Sequence, residues 1–512
     1  MLSNAASLFL FAPELVLSVG IVIVLGLGMV GPRAARVRVS RNLVIALTLT
    51  TLVAAAASTI ATAVAPPRAL FGGLLVRDSF ADFFKLLFAV AGAIVALASA
   101  RARDLLDDVD GDRDAPELAA ILLAVVLGAS LMAAAQDLLL AYLSLEFVSI
   151  LSYVLTGFTR RSRRSAEAAL KYAIYGGVAT ASMLYGFSLL FGLAASTDLG
   201  AVRAAAAAAP SLTVAVAVTL CLAGFSFKMA VVPFHMWCPD VYEGAPTPVS
   251  AFFSIVPKAA GFALAYRFLV DPAGATGPAE PSALLTNSGP AATWAVVICV
   301  LAAVTMGIGN FAALGQRNIK RLLAYSSIAH AGTILIALGV GTEPALEAML
   351  IYLGVYLFMN LAAFLVVITV AEQGVGETLG DFAGLGSRSP LAAFCLTVSL
   401  FSLAGLPPTG GFVAKYALFA AVVHRGMDGG GAPFFALALW GVVNTVVSLY
   451  YYARLVRVMY LGPVVHGQAV VRLAPLHVAL LSATTAPVLL LGIYVTPLSD
   501  LAGRSLGLWS GH

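Results

Sequence analysis

The six lysines of this chain are distributed differently from its arginines, and their positions point to proton chemistry. Five of them fall inside long apolar stretches, whereas nearly every arginine lies in a loop or at the end of a stretch. The five are Lys85, Lys171, Lys228, Lys258 and Lys415. A charge at mid-membrane costs about 2.5–3.5 kcal/mol, so neutral drift explains this pattern poorly. Because a desolvated lysine can release its proton and arginine cannot, these lysines predict a proton relay.

Glu146 lies near the middle of an apolar segment and needs a cationic partner. We expect that partner to be Lys228, with Lys171 as a second candidate. A nearby carboxylate favours the ammonium form and separation favours the neutral amine, so a change in distance would switch proton affinity. The alternative is a permanently locked salt bridge, although buried pairs are weak stabilisers.

Lys258 and Lys415 extend these titratable groups to further apolar segments. With Glu146 and Lys228 they could form a chain along the membrane plane, as proton relays do. His330 could add a neutral group between the lysines, or it could be a hydrogen-bonded packing histidine.

Lys85 and Glu14 lie close to the ends of their apolar stretches and are interpreted differently. Charged side chains at such positions can snorkel to the lipid headgroups. We therefore expect both residues to reach water instead of joining the relay.

Prolines interrupt two of the apolar segments close to these lysines. Pro233 follows Lys228, and Pro407 and Pro408 precede Lys415 within a glycine-containing stretch. Each proline removes a backbone hydrogen bond from a helix. Broken backbone at membrane depth is tolerated only where protein or water covers it, so the breaks favour a transport role. Packing kinks without such a role are the alternative.

The elements that must carry these side chains are membrane helices. The 512 residues are 61% hydrophobic and 11% charged, with a mean hydropathy of +0.98, which excludes a soluble protein. At about 20 residues per crossing, the sequence predicts an all-α integral membrane fold with about 14 transmembrane helices. The predicted spans are 10–31, 42–64, 79–100, 116–136, 138–158, 168–194, 212–233, 246–269, 292–313, 321–341, 345–371, 390–424 (interrupted), 433–459 and 475–497.

Charge and cysteine content exclude other classes of function. The net charge of +4 comes from loop arginines that set orientation, so no nucleic-acid binding is expected. Alternate loops carry 18 basic residues on one side and 6 on the other, which makes the first side cytoplasmic and puts both termini outside. The four cysteines include no C-x-x-C pair, so neither an iron–sulfur cluster nor a zinc site is predicted.

Two weak matches indicate an internal repeat. Glu167–Tyr172 recurs 180 residues later, and Leu222–Phe225 recurs 181 residues later. The shared spacing predicts two five-helix repeats, spans 4–8 and 9–13, whose broken helices are spans 7 and 12. Because five is odd, the second repeat would be inverted. The predicted divisions are a three-helix segment at 1–115, repeats at 116–270 and 290–460, and a C-terminal helix at 461–512.

A long motif between spans 7 and 8 resembles a known family. It runs Phe234-His235-Met236-Trp237-Cys238-Pro239-Asp240-Val241-Tyr242-Glu243-Gly244 and continues to Ser250. Together with the segments around Glu146, Lys171, Lys228, His330 and Lys415, it resembles subunit N of bacterial NADH:quinone oxidoreductase, respiratory complex I. Cys238 departs from that pattern, where threonine or leucine is expected, and we expect it to lie outside the ionisable chain.

The resemblance implies an antiporter-like subunit that translocates protons through Glu146, Lys228, Lys258 and Lys415. It implies that FMN, the iron–sulfur clusters and the quinone sites belong to partner subunits, with no cofactor and no direct NADH binding on this chain. The expected partners are the other membrane-arm subunits, the lipid bilayer and protons, in a bacterial plasma membrane. The main alternative is a subunit of a multisubunit sodium/proton antiporter. A stand-alone solute carrier would need a substrate site that no motif supplies.

Overall fold

The helices follow the apolar runs of the sequence. The computed structural model describes residues 4–29, 40–100, 115–159, 161–209, 211–270, 290–374, 376–463 and 470–507. Within these ranges, 13 helices are long and apolar enough to cross a membrane. The predicted all-α membrane fold is therefore confirmed. The remaining predicted span, 390–424, consists of two helices of 15 and 16 residues.

The first part of the chain contains three long helices and a hairpin. These elements are α1 Asn4–Leu10, α2 Ala12–Met29, α3 Arg41–Thr62, β1 Arg68–Leu70, β2 Leu75–Arg77 and α4 Ser79–Ser99. The two strands pair antiparallel. The next part contains α5 Ala115–Ala134, α6 Leu138–Thr156, α7 Arg163–Ala194, α8 Leu199–Ala208, α9 Ser211–Met229, α10 Trp237–Gly244 and α11 Thr247–Leu269.

The second half follows a similar plan of long helices. It contains α12 Pro290–Leu314, α13 Ile319–Val340, α14 Glu343–Ala371, α15 Leu385–Arg388, α16 Pro390–Ala404, α17 Gly410–Arg425, α18 Ala432–Leu461, α19 Pro475–Ile493 and α20 Thr496–Ser505. Polar side chains cap several of these helices. Asn318, for example, accepts a hydrogen bond from the Arg321 amide at the start of α13.

Both predicted helix breaks are present. α9 ends at Met229, and the chain is irregular past Pro233 until α10 begins. α16 ends before Gly405, which has a φ of +84° that favours glycine. A Cβ atom at Gly405 would also lie 2.8 Å from Cδ of Lys415, so a larger residue there would shift this lysine from its position over the break.

The membrane helices differ in how deeply they are buried in the bundle. The most apolar window of α11, which carries Lys258, is 100% buried within the protein. The corresponding windows of α2, α3 and α18 are each only 28% buried, so these helices form the periphery. Lys258 therefore lies on a helix that has no lipid-facing side in its most apolar window.

The prediction that Lys85 and Glu14 snorkel to the headgroups is wrong. Nζ of Lys85 lies 2.7 Å from Oε1 of Glu14, and the two side chains are only 5% and 2% exposed. Snorkelling requires a lipid-facing helix, but the most apolar window of α4 is 72% buried. Surrounded by other helices, Lys85 pairs with the carboxylate that α2 provides.

A second buried ion pair joins this N-terminal part to α11. Both terminal nitrogens of Arg267 donate to the Asp78 carboxylate at 2.6 Å, and its Nε donates to the carbonyl of Ala133 at 2.9 Å. The guanidinium also lies 4.7 Å from the ring centre of Phe80. Such two-point, charge-assisted contacts fix both distance and angle, so α4 is held firmly against α11.

Candidate functional site

Lys228 is fully buried at the end of α9, just before the first break. Its ammonium donates to Oγ of Ser149 at 3.0 Å. Ser149 lies on α6 one turn after Glu146. Lys228 thus reaches the helix of Glu146 but is held by a neutral hydroxyl.

Lys171 has other partners than the predicted Glu146. Its Nζ lies 2.8 Å from Oδ2 of Asp240 and 2.7 Å from Oε1 of Glu167, and its side chain is 41% exposed. These groups line an open cavity of about 300 Å³ together with Arg164, Glu243 and Arg321. Lys171 therefore lies at a charged, water-accessible surface.

Asp240 lies at the centre of this surface, in the connection between two spans. Besides Lys171, it accepts a hydrogen bond from Arg321 at 2.6 Å. Partial burial disfavours its carboxylate, but the hydrogen bonds from Lys171 and Arg321 and their charges outweigh this and lower the pKa of Asp240 below its usual value. Asp240 is therefore a fixed anion at neutral pH.

Lys258 is buried among polar side chains from two other helices. Its ammonium donates to Ser327 on α13, lies 3.6 Å from Sγ of Cys238 on α10 and is 5.1 Å from the ring centre of Tyr242. The expectation that Cys238 lies outside the ionisable chain is wrong, because the break before α10 turns its side chain inward. Cys238 is a direct neighbour of a predicted relay lysine.

Close helix packing brings the helix of Lys258 against Lys228. Gly261 lies one turn after Lys258 on α11. A Cβ atom added there would be 3.3 Å from Cβ of Lys228 and 3.0 Å from Cγ of Met229. Glycine thus allows α11 to approach the end of α9 directly.

His330 is buried between the two lysine-bearing regions. Its Nδ1 lies 2.7 Å from the hydroxyl of Tyr352, and its Nε2 lies 3.5 Å from that of Tyr452. Lys258 bonds to Ser327, one turn before His330 on α13, and Lys415 lines the same small cavity as His330. The two tyrosine hydroxyl groups hold the imidazole ring in place from both sides.

Lys415 lies directly behind the second break. Its ammonium donates to the carbonyls of Leu403 and Ala404 at 3.0 and 3.1 Å, which are freed where α16 ends. His330, Lys415, Asn444 and Tyr451 are among the residues that line a cavity of about 10 Å³. That volume is close to the minimum for one water molecule.

The remaining motif residues shape the first break. His235 is 8% exposed, and burial lowers its pKa. Pro239 lies in the first turn of α10, where its missing amide hydrogen breaks no helical hydrogen bond. Glu243, near the end of α10, pairs with Arg321 at 3.0 Å. The motif therefore forms one compact turn and helix beneath the charged cavity.

The sequence interpretation missed the neutral groups between the charged ones. These are Ser149, Ser327, Tyr352 and Tyr452, all buried. Serine and tyrosine are common in membrane helices, so their type carried no signal. The position of Ser149, one turn from Glu146 on the same helix face, was the one available indication.

Comparison with known proteins identifies the family. Residues 135–439 match the family model described as "NADH:quinone oxidoreductase/Mrp antiporter, TM". A protein named NADH-quinone oxidoreductase subunit N, from Anaeromyxobacter sp. (strain Fw109-5), is 45% identical over 99% of this chain and 98% of its own length. The chain belongs to the NADH-quinone oxidoreductase subunit N family.

Solved structures agree with this family assignment. A chain of respiratory complex I from Thermus thermophilus is 31% identical, with a TM-score of 0.76 over 95% of this chain and 98% of that one. A chain of the Mrp complex from Dietzia sp. DQ12-45-1b has a TM-score of 0.80 over 99% of this chain and 97% of that one. At 21% identity, the second match shows the shared fold alone.

Proposed function

We propose that this protein is a proton-translocating membrane-arm subunit of an NADH:quinone oxidoreductase that carries no redox centre itself. The family assignment supports the part of this proposal that places the protein in an NADH:quinone oxidoreductase. One structural observation supports the transport role: Lys228, Lys258, His330 and Lys415 are all buried on helices that pack against one another. Gly261 of α11 packs against Lys228, and Lys258 bonds to Ser327, one turn before His330 on α13. Lys415 lines the same small cavity as His330. Buried ionisable groups inside membrane helices are costly and are usually retained for transport.

In this proposal Lys228 and Glu146 form the first switch. The ammonium form is attracted to the Glu146 carboxylate, whereas the neutral amine is satisfied by Ser149 alone. Movement of Lys228 between these neighbours changes its proton affinity. A shift in the helices around the first break would then bind or release one proton.

Further steps would pass through Lys258, His330 and Lys415. Ser327 holds Lys258, and the adjacent Ser326 contacts Tyr452, which in turn neighbours His330. The small cavity between His330 and Lys415 has room for a bridging water. We assign Lys171 to the water-facing cavity and not to this buried chain.

The same proposal covers partners, cofactors and orientation. The protein would assemble with other membrane-arm subunits in a bacterial inner membrane, with FMN, iron–sulfur clusters and quinone bound elsewhere and both termini outside. Several of the arginines that support this orientation, such as Arg33 and Arg101, lie outside the described residues.

We also propose that α5–α11 and α12–α18 are the two inverted repeats. Each set contains one proline-associated break with a lysine beside it, Lys228 in the first and Lys415 in the second. The described helices are compatible with the predicted divisions at 116–270 and 290–460.

Co-purification tests the proposed complex. An affinity-tagged chain, expressed in its own cells, is expected to bring down an assembly with flavin absorbance and NADH oxidation. The sodium/proton antiporter alternative predicts an assembly without either property. Recovery of that flavin-free assembly alone would contradict the proposal.

Lys258 and Lys415 can be tested as members of the relay. Lys258→Ala and Lys415→Ala should each lower proton uptake per NADH oxidised by a few-fold, because each removes one titratable group from the path. Membrane vesicles with matched amounts of assembled complex provide the measurement. Thr369→Ala, which removes a buried hydroxyl that bonds to the Leu365 carbonyl of its own helix α14, serves as the control and should pump normally. Normal pumping in both lysine variants would remove these residues from the relay.

A further inference from the structure

The short helix α10 is held along its length by the first turn of α13. Nη1 of Arg321 donates to Oδ1 of Asp240 at 2.6 Å and to Oε2 of Glu243 at 3.0 Å. The preceding Lys320 donates to the carbonyl of Ala245, just after α10 ends, at 2.9 Å. Two consecutive residues of α13 thus make three contacts to α10 and its end.

The other end of α10 contacts the surroundings of two relay lysines. Nε1 of Trp237 donates to the carbonyl of Phe227 at 3.0 Å, immediately before Lys228 in the chain. Sγ of Cys238 lies 3.6 Å from Nζ of Lys258. An eight-residue helix is only about 12 Å long, so a displacement at one end is carried to the other.

We propose that the ion pair between Asp240 and Arg321 is a positioning contact, which fixes α10 against α13 and thereby sets the surroundings of Lys228 and Lys258. This inference rests on the proposed relay. Asp240 suits the role because its two cationic partners come from different predicted repeats, Lys171 on α7 and Arg321 on α13. The contact couples the two halves of the protein at the cytoplasmic side that the arginine distribution predicts.

The same cavity provides a matched control. Glu167 also pairs with Lys171, but both residues lie on α7, so this pair joins no separate elements. Glu167→Gln and Asp240→Asn remove the same charge from the same cavity. Because the groups are partly exposed, neither change should prevent assembly.

The test compares Asp240→Asn, Asp240→Glu and Glu167→Gln in assembled complex in membrane vesicles. We expect Asp240→Asn to lower proton uptake per NADH by about two- to five-fold, the range of a modest coupling contact, and to shift the pH of half-maximal pumping. Asp240→Glu should restore most activity, and Glu167→Gln should behave as wild type. Adding Arg321→Met to Asp240→Asn should cause less loss than the sum of the two single changes, because both break the Asp240–Arg321 contact, and the part that remains comes from the pair of Arg321 with Glu243.

Two outcomes would overturn the inference. One is an Asp240→Asn variant that pumps like Glu167→Gln. The other is a fully additive loss in the Asp240→Asn, Arg321→Met double variant with an unchanged pH profile. Lys228→Ala, measured in parallel, distinguishes failure of the positioning role from failure of the relay. If only Lys228→Ala is defective, the relay stands and the positioning role fails. Normal pumping in Lys228→Ala contradicts the relay itself.

Discussion

Replacing Lys228 by alanine is expected to lower the rate of NADH-driven proton uptake by at least about ten-fold, since a positioned proton-transfer group is lost. The buried ammonium that contacts Ser149, one turn from Glu146 on α6, would be absent. Proton uptake and quinone reduction, measured in vesicles at matched assembly, are the readouts, and Glu146→Ala should give a similar defect.

Two further variants separate titration from packing. Lys228→Arg keeps a positive charge that cannot be released, so it should also fail if Lys228 must lose its proton. Thr219 lies on the same helix as Lys228 and has an exposed hydroxyl, so the Thr219→Ala variant should pump normally. Wild-type pumping in Lys228→Ala would contradict the relay, and wild-type pumping in Lys228→Arg would reduce Lys228 to a fixed charge.

Lys85→Ala is expected to destabilise the protein by about 3–5 kcal/mol, because it leaves Glu14 buried without its cation. From the sequence alone, Lys85 is expected to snorkel to the lipid headgroups and reach water. The buried contact at 2.7 Å reverses that expectation. The yield of assembled complex and its thermal denaturation in detergent are the measurements.

A double substitution controls for the loss of charge at Lys85. Lys85→Met combined with Glu14→Leu removes both ions and keeps apolar volume, so it should recover most of the lost stability. Complex that contains Lys85→Ala and denatures as the wild type does would show that the pair contributes nothing. An equally unstable double variant would assign the effect to packing instead of charge.

The sequence singled out the residues of the proposed relay but not their direct partners. The scarcity of lysine and its placement in apolar runs singled out Lys228, Lys258 and Lys415, because burial of charge is costly whatever the fold. The contacts with Ser149, Ser327 and Cys238 depend on which helix faces meet, and no local pattern encodes that. Lys171 shows the same limit: its depth was predicted from its apolar segment, but its position at an open, charged cavity follows from the packing of α7 against α10.

The sequence by itself determined the membrane class, the spans, the breaks and the family. These features depend on hydropathy, segment length, proline and a contiguous motif, all of which are local properties of the chain. Only the tertiary structure decided which charges are buried and what they touch, as with the Lys85–Glu14 pair and the Asp240–Arg321 contact. A residue near the end of an apolar run reaches water if its helix faces lipid and is enclosed if its helix faces protein. That choice belongs to the arrangement of all the helices together.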